Sequence, residues 1–173
     1  EDARLYEGVK ALSDFCCELH INVPTGKDSL SMTQQYPDGE KVISPGTVIV
    51  SAGGEVNDVR KVVRPVVVNE PNSKIYHLDF SSLAPQLGGS AFAQTLGYVG
   101  SDVPTVADAA YFRSAFAAVQ AMVQEGILLA GHDISAGGLI TALLEMCFAN
   151  TEGGLSVQLD NLGAADLVQQ LFA

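Results

Sequence analysis

The stretch Ile127-Leu128-Leu129-Ala130-Gly131-His132-Asp133-Ile134-Ser135-Ala136-Gly137-Gly138-Leu139 joins an apolar run to a Gly-rich loop and then to a helical pattern. Ile127–Ala130 reads as a buried strand and Gly138–Phe148 as a helix, so the loop sits at a strand-to-helix junction. Backbone N–H groups and the helix dipole make such junctions receptive to anions. Asp133 offers the hard oxygen that Mg²⁺ prefers, usually shared with substrate phosphates. Ser135 can hydrogen-bond a phosphate, and Gly137 and Gly138 let a ligand lie against bare backbone. The plainer alternative is structural: Asp133 or Ser135 caps the helix, and His132 is merely packed. From the residues alone both readings stand.

Upstream of this junction, Val106–Gln124 reads as a long helix, with Thr105 as N-cap, Asp108 three residues on and Gly126 as its stop. Ala109, Phe112, Phe116, Val119 and Val123 form its apolar stripe. Before it come a strand, Ile75–Phe80, and a short helix near Ser90–Thr95. Downstream, Leu155–Leu159 reads as a strand and Leu162–Leu171 as a helix. The first part of the chain has a different rhythm. Leu5, Val9, Leu12, Cys16 and Leu19 mark one face of an opening helix. Pro37-Asp38-Gly39-Glu40 is a turn joining strands Ser29–Tyr36 and Lys41–Ser44. Thr47–Ala52 and Val62–Val68 are rich in β-branched residues and read as strands, with Pro65 marking an edge or a break in the second. The mixture predicts an α+β fold with helices on a mixed sheet. The opening helix has no capping sequence before it, and the chain stops inside a helical pattern, so both ends predict a piece of a longer protein.

Two further Gly-containing segments carry possible chemistry. Gly26-Lys27-Asp28-Ser29-Leu30-Ser31-Met32 places a mobile cation, a carboxylate and a hydroxyl beside a glycine, but in the wrong order for a P-loop. From the residues alone, a solvated turn before a strand is the favoured reading. Leu87-Gly88-Gly89-Ser90 reads as a helix start with Ser90 as a structural cap. The remaining candidates are weaker: Cys16 and Cys147 fall on apolar helix faces, and Cys16-Cys17, His20 and His77 lack the partners a metal site needs.

Composition narrows the classes. Hydrophobic residues make up 47% of the 173, which excludes disorder as the main state. Nine basic against twenty acidic residues give a net charge of −11. That excess argues against nucleic acid and anionic membranes as partners, since both need a basic face. No apolar run reaches membrane-spanning length. Three cysteines, two of them adjacent, make no disulfide framework and predict a reduced, cytoplasmic setting.

Three segments in order now carry a resemblance. Val23-Pro24-Thr25-Gly26-Lys27-Asp28-Ser29-Leu30-Ser31-Met32, Leu87-Gly88-Gly89-Ser90-Ala91-Phe92-Ala93-Gln94 and His132-Asp133-Ile134-Ser135-Ala136-Gly137-Gly138-Leu139 resemble stretches of the large, glutamine-dependent phosphoribosylformylglycinamidine synthase family. Glu1-Asp2-Ala3-Arg4-Leu5-Tyr6 resembles the sequence preceding the first of them. The resemblance implies the aminoimidazole ribonucleotide synthetase superfamily fold. On that reading residues 1–67 end the N-terminal-like domain and residues 68–72 are a linker. Residues 73–173 form most of a three-layer α/β/α C-terminal-like domain with a mixed sheet, truncated at its end.

The resemblance also implies a role. Asp133 matches a Mg²⁺ ligand and Ser135 a nucleotide contact, with Gly137 and Gly138 beside them. Gly26, Lys27 and Ser29 match a loop at a nucleotide or substrate site, and Asp28 lies in that loop without an assigned ligand. Many members have Asp where this chain has Ala136, which leaves position 136 without a role but keeps Asp133 and Ser135 in register. No catalytic residue is assigned. The implied reaction is ATP-dependent amidation of formylglycinamide ribonucleotide, with ADP and phosphate released. Ammonia would come from glutamine at a glutaminase domain elsewhere in the parent polypeptide, so the 173 residues alone would be inactive. Two alternatives remain: a non-catalytic nucleotide-holding scaffold within that enzyme, or another ATP-using enzyme of the superfamily.

Overall fold

The computed structural model describes residues 2–29, 32–160, 162 and 166–173. The chain divides into two units, Glu1–Val56 and Asn57–Ala173.

The first unit opens with α1 (Asp2–Leu19). Its inward face runs through Leu5, Gly8, Leu12, Phe15, Cys16 and Leu19, and Cys16 is buried. Val9, expected on that face, is 48% exposed. Gly8 takes its place, where a Cβ would lie 3.3 Å from Val48 Cγ2, so the helix approaches the Thr47–Ala52 segment through its glycine. The predicted hairpin is present as β1 (Thr33–Gln35) and β2 (Lys41–Ile43), antiparallel with Gln34 opposite Val42. Gly39 turns the chain at φ +90°, which only glycine adopts without strain, and its N–H donates to Tyr36 C=O at 3.0 Å. The pairing extends one step further through Ser44 N–H to Met32 C=O. Leu30 and Ser31, inside the predicted first strand, lie outside the described residues.

The second unit carries α2 (Ala91–Thr95), α3 (Ala109–Glu125), α4 (Gly138–Phe148) and α5 (Leu167–Phe172). α3 starts later than its periodicity suggests because Asp108, not Thr105, is the cap. Asp108 is extended at φ −141°, and its carboxylate accepts from Ala110 and Tyr111 N–H at 2.8 and 3.0 Å. Gly126 ends the helix in the left-handed region at φ +71°. Of the predicted stripe, Phe112 sits between Phe80 and Phe116, while Phe116 itself is about half exposed at 51%. α4 packs against α5, and Phe172 stacks on Phe92 of α2 with ring centroids 4.7 Å apart. Gly138 makes the α4–α5 approach possible: a Cβ there would lie 2.5 Å from the Leu171 carbonyl oxygen. The predicted last helix began at Leu162, but residues 163–165 lie outside the described residues and α5 begins at Leu167, capped by Asp166.

The predicted strands Thr47–Ala52, Val62–Val68, Ile75–Phe80, Ile127–Ala130 and Leu155–Leu159 are not strands here, and among the described residues the sheet is the β1–β2 pair alone. Their β-branched composition suits a pleated, half-covered surface, but a strand also needs a neighbour's N–H and C=O row. Isolated bonds stand in for ladders: Val67 N–H to Met146 C=O at 2.9 Å, and Gly131 N–H to Arg64 C=O at 3.2 Å. Many of their side chains remain open to solvent, Ile49 at 86% and Tyr76 at 75%. Among the described residues the buried apolar side chains are Cys16, Ala93, Ala109 and Ala142, all small. The accessible surface is 13374 Å². No helix among the described residues is long and apolar enough to cross a membrane.

Candidate functional site

In the second unit, two of the three singled-out segments come together. Ala91 N–H at the start of α2 donates to Ala136 C=O at 2.9 Å. Gly88, Gly89 and Ser90 therefore lie beside Ile134, Ser135 and Ala136, and all six line one cleft of about 650 Å³. Gly88 is required by close packing: its N–H donates to Asp102 C=O at 2.9 Å, and a Cβ would sit 2.5 Å from that oxygen. Ser90 is a structural cap, as its sequence suggests. Its hydroxyl accepts from Ala93 N–H at 3.1 Å and donates to Leu87 C=O at 2.7 Å, so its proton is already committed.

The structural alternative for the other loop loses its main support, because α4 begins with no side-chain cap. Asp133 and Ser135 thus have no capping duty. The Asp133 side chain is 87% exposed. Ser135 is exposed and borders the cleft, whereas Asp133 is not among the cleft's lining residues. His132 is held from two sides. Its Nδ1 lies 2.7 Å from Asp133 carbonyl oxygen and 3.6 Å from Asp133 Oδ1, and its Nε2 lies 2.9 Å from Glu145 Oε2 on α4. Gly137 lies against Thr141, whose hydroxyl donates to Gly137 C=O at 2.9 Å. Gly138 has φ +76° and gives its N–H to Ser135 C=O at 2.9 Å. In this arrangement the Gly138 N–H closes the loop on itself rather than pointing to a ligand.

Sequence reasoning missed other residues of the cleft. His77, Asp79, Ser81, Gln86 and Gln169 all reach it. Asp79 accepts from Ser81 N–H at 2.8 Å and Ser81 Oγ at 2.6 Å. The Ser81 hydroxyl, outweighing the opposing effect of burial, holds the Asp79 carboxyl below the usual aspartate range. A usable signal was present, since polar residues at 77, 79 and 81 alternate with apolar Tyr76, Leu78 and Phe80. The Gln residues had no local signal, because tertiary folding alone brings them in. No Lys or Arg is among the described residues that line the cleft.

Gly26, Lys27, Asp28 and Ser29 occupy an irregular loop of the first unit, apart in sequence and unit from the Asp133 loop. Lys27 Nζ turns back onto Asp28 C=O and Ser29 Oγ. A Cβ on Gly26 would meet nothing within 4 Å.

The donor set can be tested against Mg²⁺. Among the described residues no three His, Cys, Asp or Glu side chains converge into a metal cage. One exposed carboxylate in a loop bordering a cleft whose described lining holds no Lys or Arg suits Mg²⁺ shared with phosphate and water oxygens, the arrangement this ion commonly takes. The residues fit the ion on those terms.

Comparison with known proteins gives the class first. Residues 1–55 match the FGAR-AT PurM_N-like domain, and residues 70–171, more than half of the chain, match the C-terminal domain of AIR synthase related proteins. The chain belongs to the AIR synthase-related family and has its fold in that region. More particularly, it is 38% identical over 174 residues to a probable phosphoribosylformylglycinamidine synthase, chloroplastic/mitochondrial, of Arabidopsis thaliana. That alignment takes in 100% of this chain and 12% of the plant protein. The resemblance drawn from the three ordered segments is met along the whole chain. No solved structure matches.

Proposed function

We propose that this chain is part of a glutamine-dependent carbon–nitrogen ligase of purine biosynthesis, and that its second unit supplies part of a Mg²⁺-nucleotide site. The reaction converts formylglycinamide ribonucleotide, ATP and glutamine to formylglycinamidine ribonucleotide, ADP, phosphate and glutamate. The observation that carries the reading is the Ala91 N–H to Ala136 C=O bond, which brings Gly88–Ser90 and Ile134–Ala136 onto one cleft, with Asp133 in the adjoining loop, exposed and free of capping. The similarity to the plant synthase supports it. The partners are ATP, formylglycinamide ribonucleotide and the rest of a longer polypeptide with its glutaminase domain, in a cytoplasmic setting. Against that remainder the exposed apolar segments, Ile49, Tyr76 and Ile127 among them, would be covered. The layout we carry forward is an N-terminal-like part to residue 67, a linker at 68–72 and a three-layer C-terminal-like part from 73, whose sheet completes with strands outside this chain.

Each residue has a distinct task. Asp133 would hold Mg²⁺ beside the cleft, where the ion would offset phosphate charge, since no Lys or Arg is among the described residues that line it. Ser135 donates its hydroxyl to a phosphate oxygen, and Gly137 and Gly138 set the turn that holds Ser135 at the cleft. Gly26, Lys27, Asp28 and Ser29 form a second contact loop, in which Lys27 leaves its local partners for an anionic ligand. The chemistry is phosphoryl transfer to the formamide oxygen, then displacement of phosphate by ammonia. It calls on charge stabilisation and positioning more than on a protein nucleophile.

The test is glutamine- and Mg²⁺-dependent ADP release with formylglycinamide ribonucleotide, in the polypeptide carrying this chain. Asp133→Asn is expected to lose about 10²-fold in turnover, about 2.7 kcal/mol of barrier. Retained turnover with loss of tightly held nucleotide would move the site to a scaffold role. Absence of substrate-dependent turnover in the wild type would remove the ligase reading.

A further inference from the structure

The loop from Gly131 to Gly138 is tied by backbone hydrogen bonds at Gly131, Ser135, Ala136 and Gly138, but no backbone–backbone bond is described for residues 132–134, so these ties leave the direction of Asp133 open. A tie from outside the loop supplies that constraint. The His132 side chain is only 15% exposed and cannot swing freely. Glu145, on the body of α4, meets its Nε2 at 2.9 Å, and its Nδ1 lies 2.7 Å from the Asp133 carbonyl oxygen. The same ring nitrogen borders the Asp133 carboxylate at 3.6 Å. Glu145 is 45% exposed and has no other hydrogen bond described, so packing alone gives it little reason to sit there. We infer that Glu145 and His132 are positioning residues, which run from the body of α4 through the imidazole to the Asp133 main chain and aim its carboxylate at the metal. Neither touches the nucleotide. The inference rests on the nucleotide-site reading above. It adds that the metal affinity of Asp133 is set in part by a glutamate twelve residues downstream.

The experiment measures Mn²⁺ binding in the presence of ADP by electron paramagnetic resonance of free Mn²⁺, using the longer polypeptide that carries this chain. Asp133→Asn, Glu145→Ala, Glu145→Gln and the Asp133→Asn/Glu145→Ala double variant are compared with wild type. Removing an outer-shell partner commonly weakens a metal by about tenfold or more. Glu145→Ala is expected to weaken Mn²⁺ binding by about that factor while leaving metal-free ADP affinity in place. Glu145→Gln, which keeps an acceptor oxygen for the ring, recovers most of the loss. In the Asp133→Asn background, Glu145→Ala adds nothing further, because it acts only through Asp133. A general structural role would instead lower metal-free ADP affinity as well, would add to Asp133→Asn, and would overturn the inference. So would wild-type Mn²⁺ affinity in Glu145→Ala, or a Glu145→Gln variant as weak as Glu145→Ala. If Asp133→Asn itself binds Mn²⁺ like wild type, the nucleotide-site reading falls first and this inference with it.

Discussion

The Gly26–Ser29 loop of the first unit and the Gly131–Gly138 loop of the second read alike as sequence but use glycine differently. Gly26 faces open space, and its neighbour Lys27 spends its charge within the loop. Gly138 sits at φ +76° against the backbone of Leu171 and Phe172. Nothing among the described residues requires the first glycine. The second is demanded by the fold. A Gly-rich motif therefore does not announce a ligand until the space around each glycine is known.

The largest expected effect sharpens that contrast from the fold side. Gly138→Ala combines a left-handed backbone with a Cβ 2.5 Å from Leu171 carbonyl oxygen. It is expected to destabilise the second unit by about 3 kcal/mol, seen as faster amide exchange throughout α4 and α5. Gly88→Ala meets the Asp102 backbone at the same 2.5 Å but without a left-handed φ. About 2 kcal/mol is expected, read from the shift in thermal midpoint. A smaller effect concerns pH. Asp79 has its folded pKa lowered, first by the Ser81 hydroxyl, so its contribution is present above the ordinary aspartate value and is lost as pH falls through the lowered one. Because Asp79 is largely solvated, Asp79→Asn should change stability at neutral pH by only about 0.5 kcal/mol. The variant should also flatten the acid limb of a stability–pH curve. The smallest effect is Gly26→Ala, within about 0.5 kcal/mol in stability. The same variant should raise KM for a nucleotide or ribonucleotide substrate if the loop is a contact. Stability loss on Gly26→Ala, or none on Gly138→Ala, would break the contrast.

Helices and turns were legible where the signal was local. The 3.6-residue stripe of α1, the Pro37–Glu40 turn, the Ser90 cap and the Gly126 stop all follow from residues within a few positions of each other. Even there, neighbours decided details. Asp108 outcompeted Thr105 because its carboxylate reaches two N–H groups at once, and Val9 lost the inner face to Gly8 because Val48 needed the room. Of the strands, the β1–β2 hairpin was legible, whereas Ile75–Phe80 and Ile127–Ala130 have the composition of strands but no ladder partner among the described residues. The Ser135 side of the cleft was legible as a motif. The Gln86 and Gln169 wall was not, because those residues meet it only through tertiary packing.

The small size of the buried side chains carries a calorimetric consequence. Unfolding changes heat capacity mainly by wetting apolar surface, and denaturant sensitivity scales with the area newly exposed. A well-packed chain of this length gives about 2.4 kcal/mol/K on unfolding. With Cys16, Ala93, Ala109 and Ala142 as the buried apolar side chains among the described residues, and Ile49 and Tyr76 already wet, the 173-residue chain in isolation should fall well below that. Its urea transition should be correspondingly shallow and its melting endotherm low and broad.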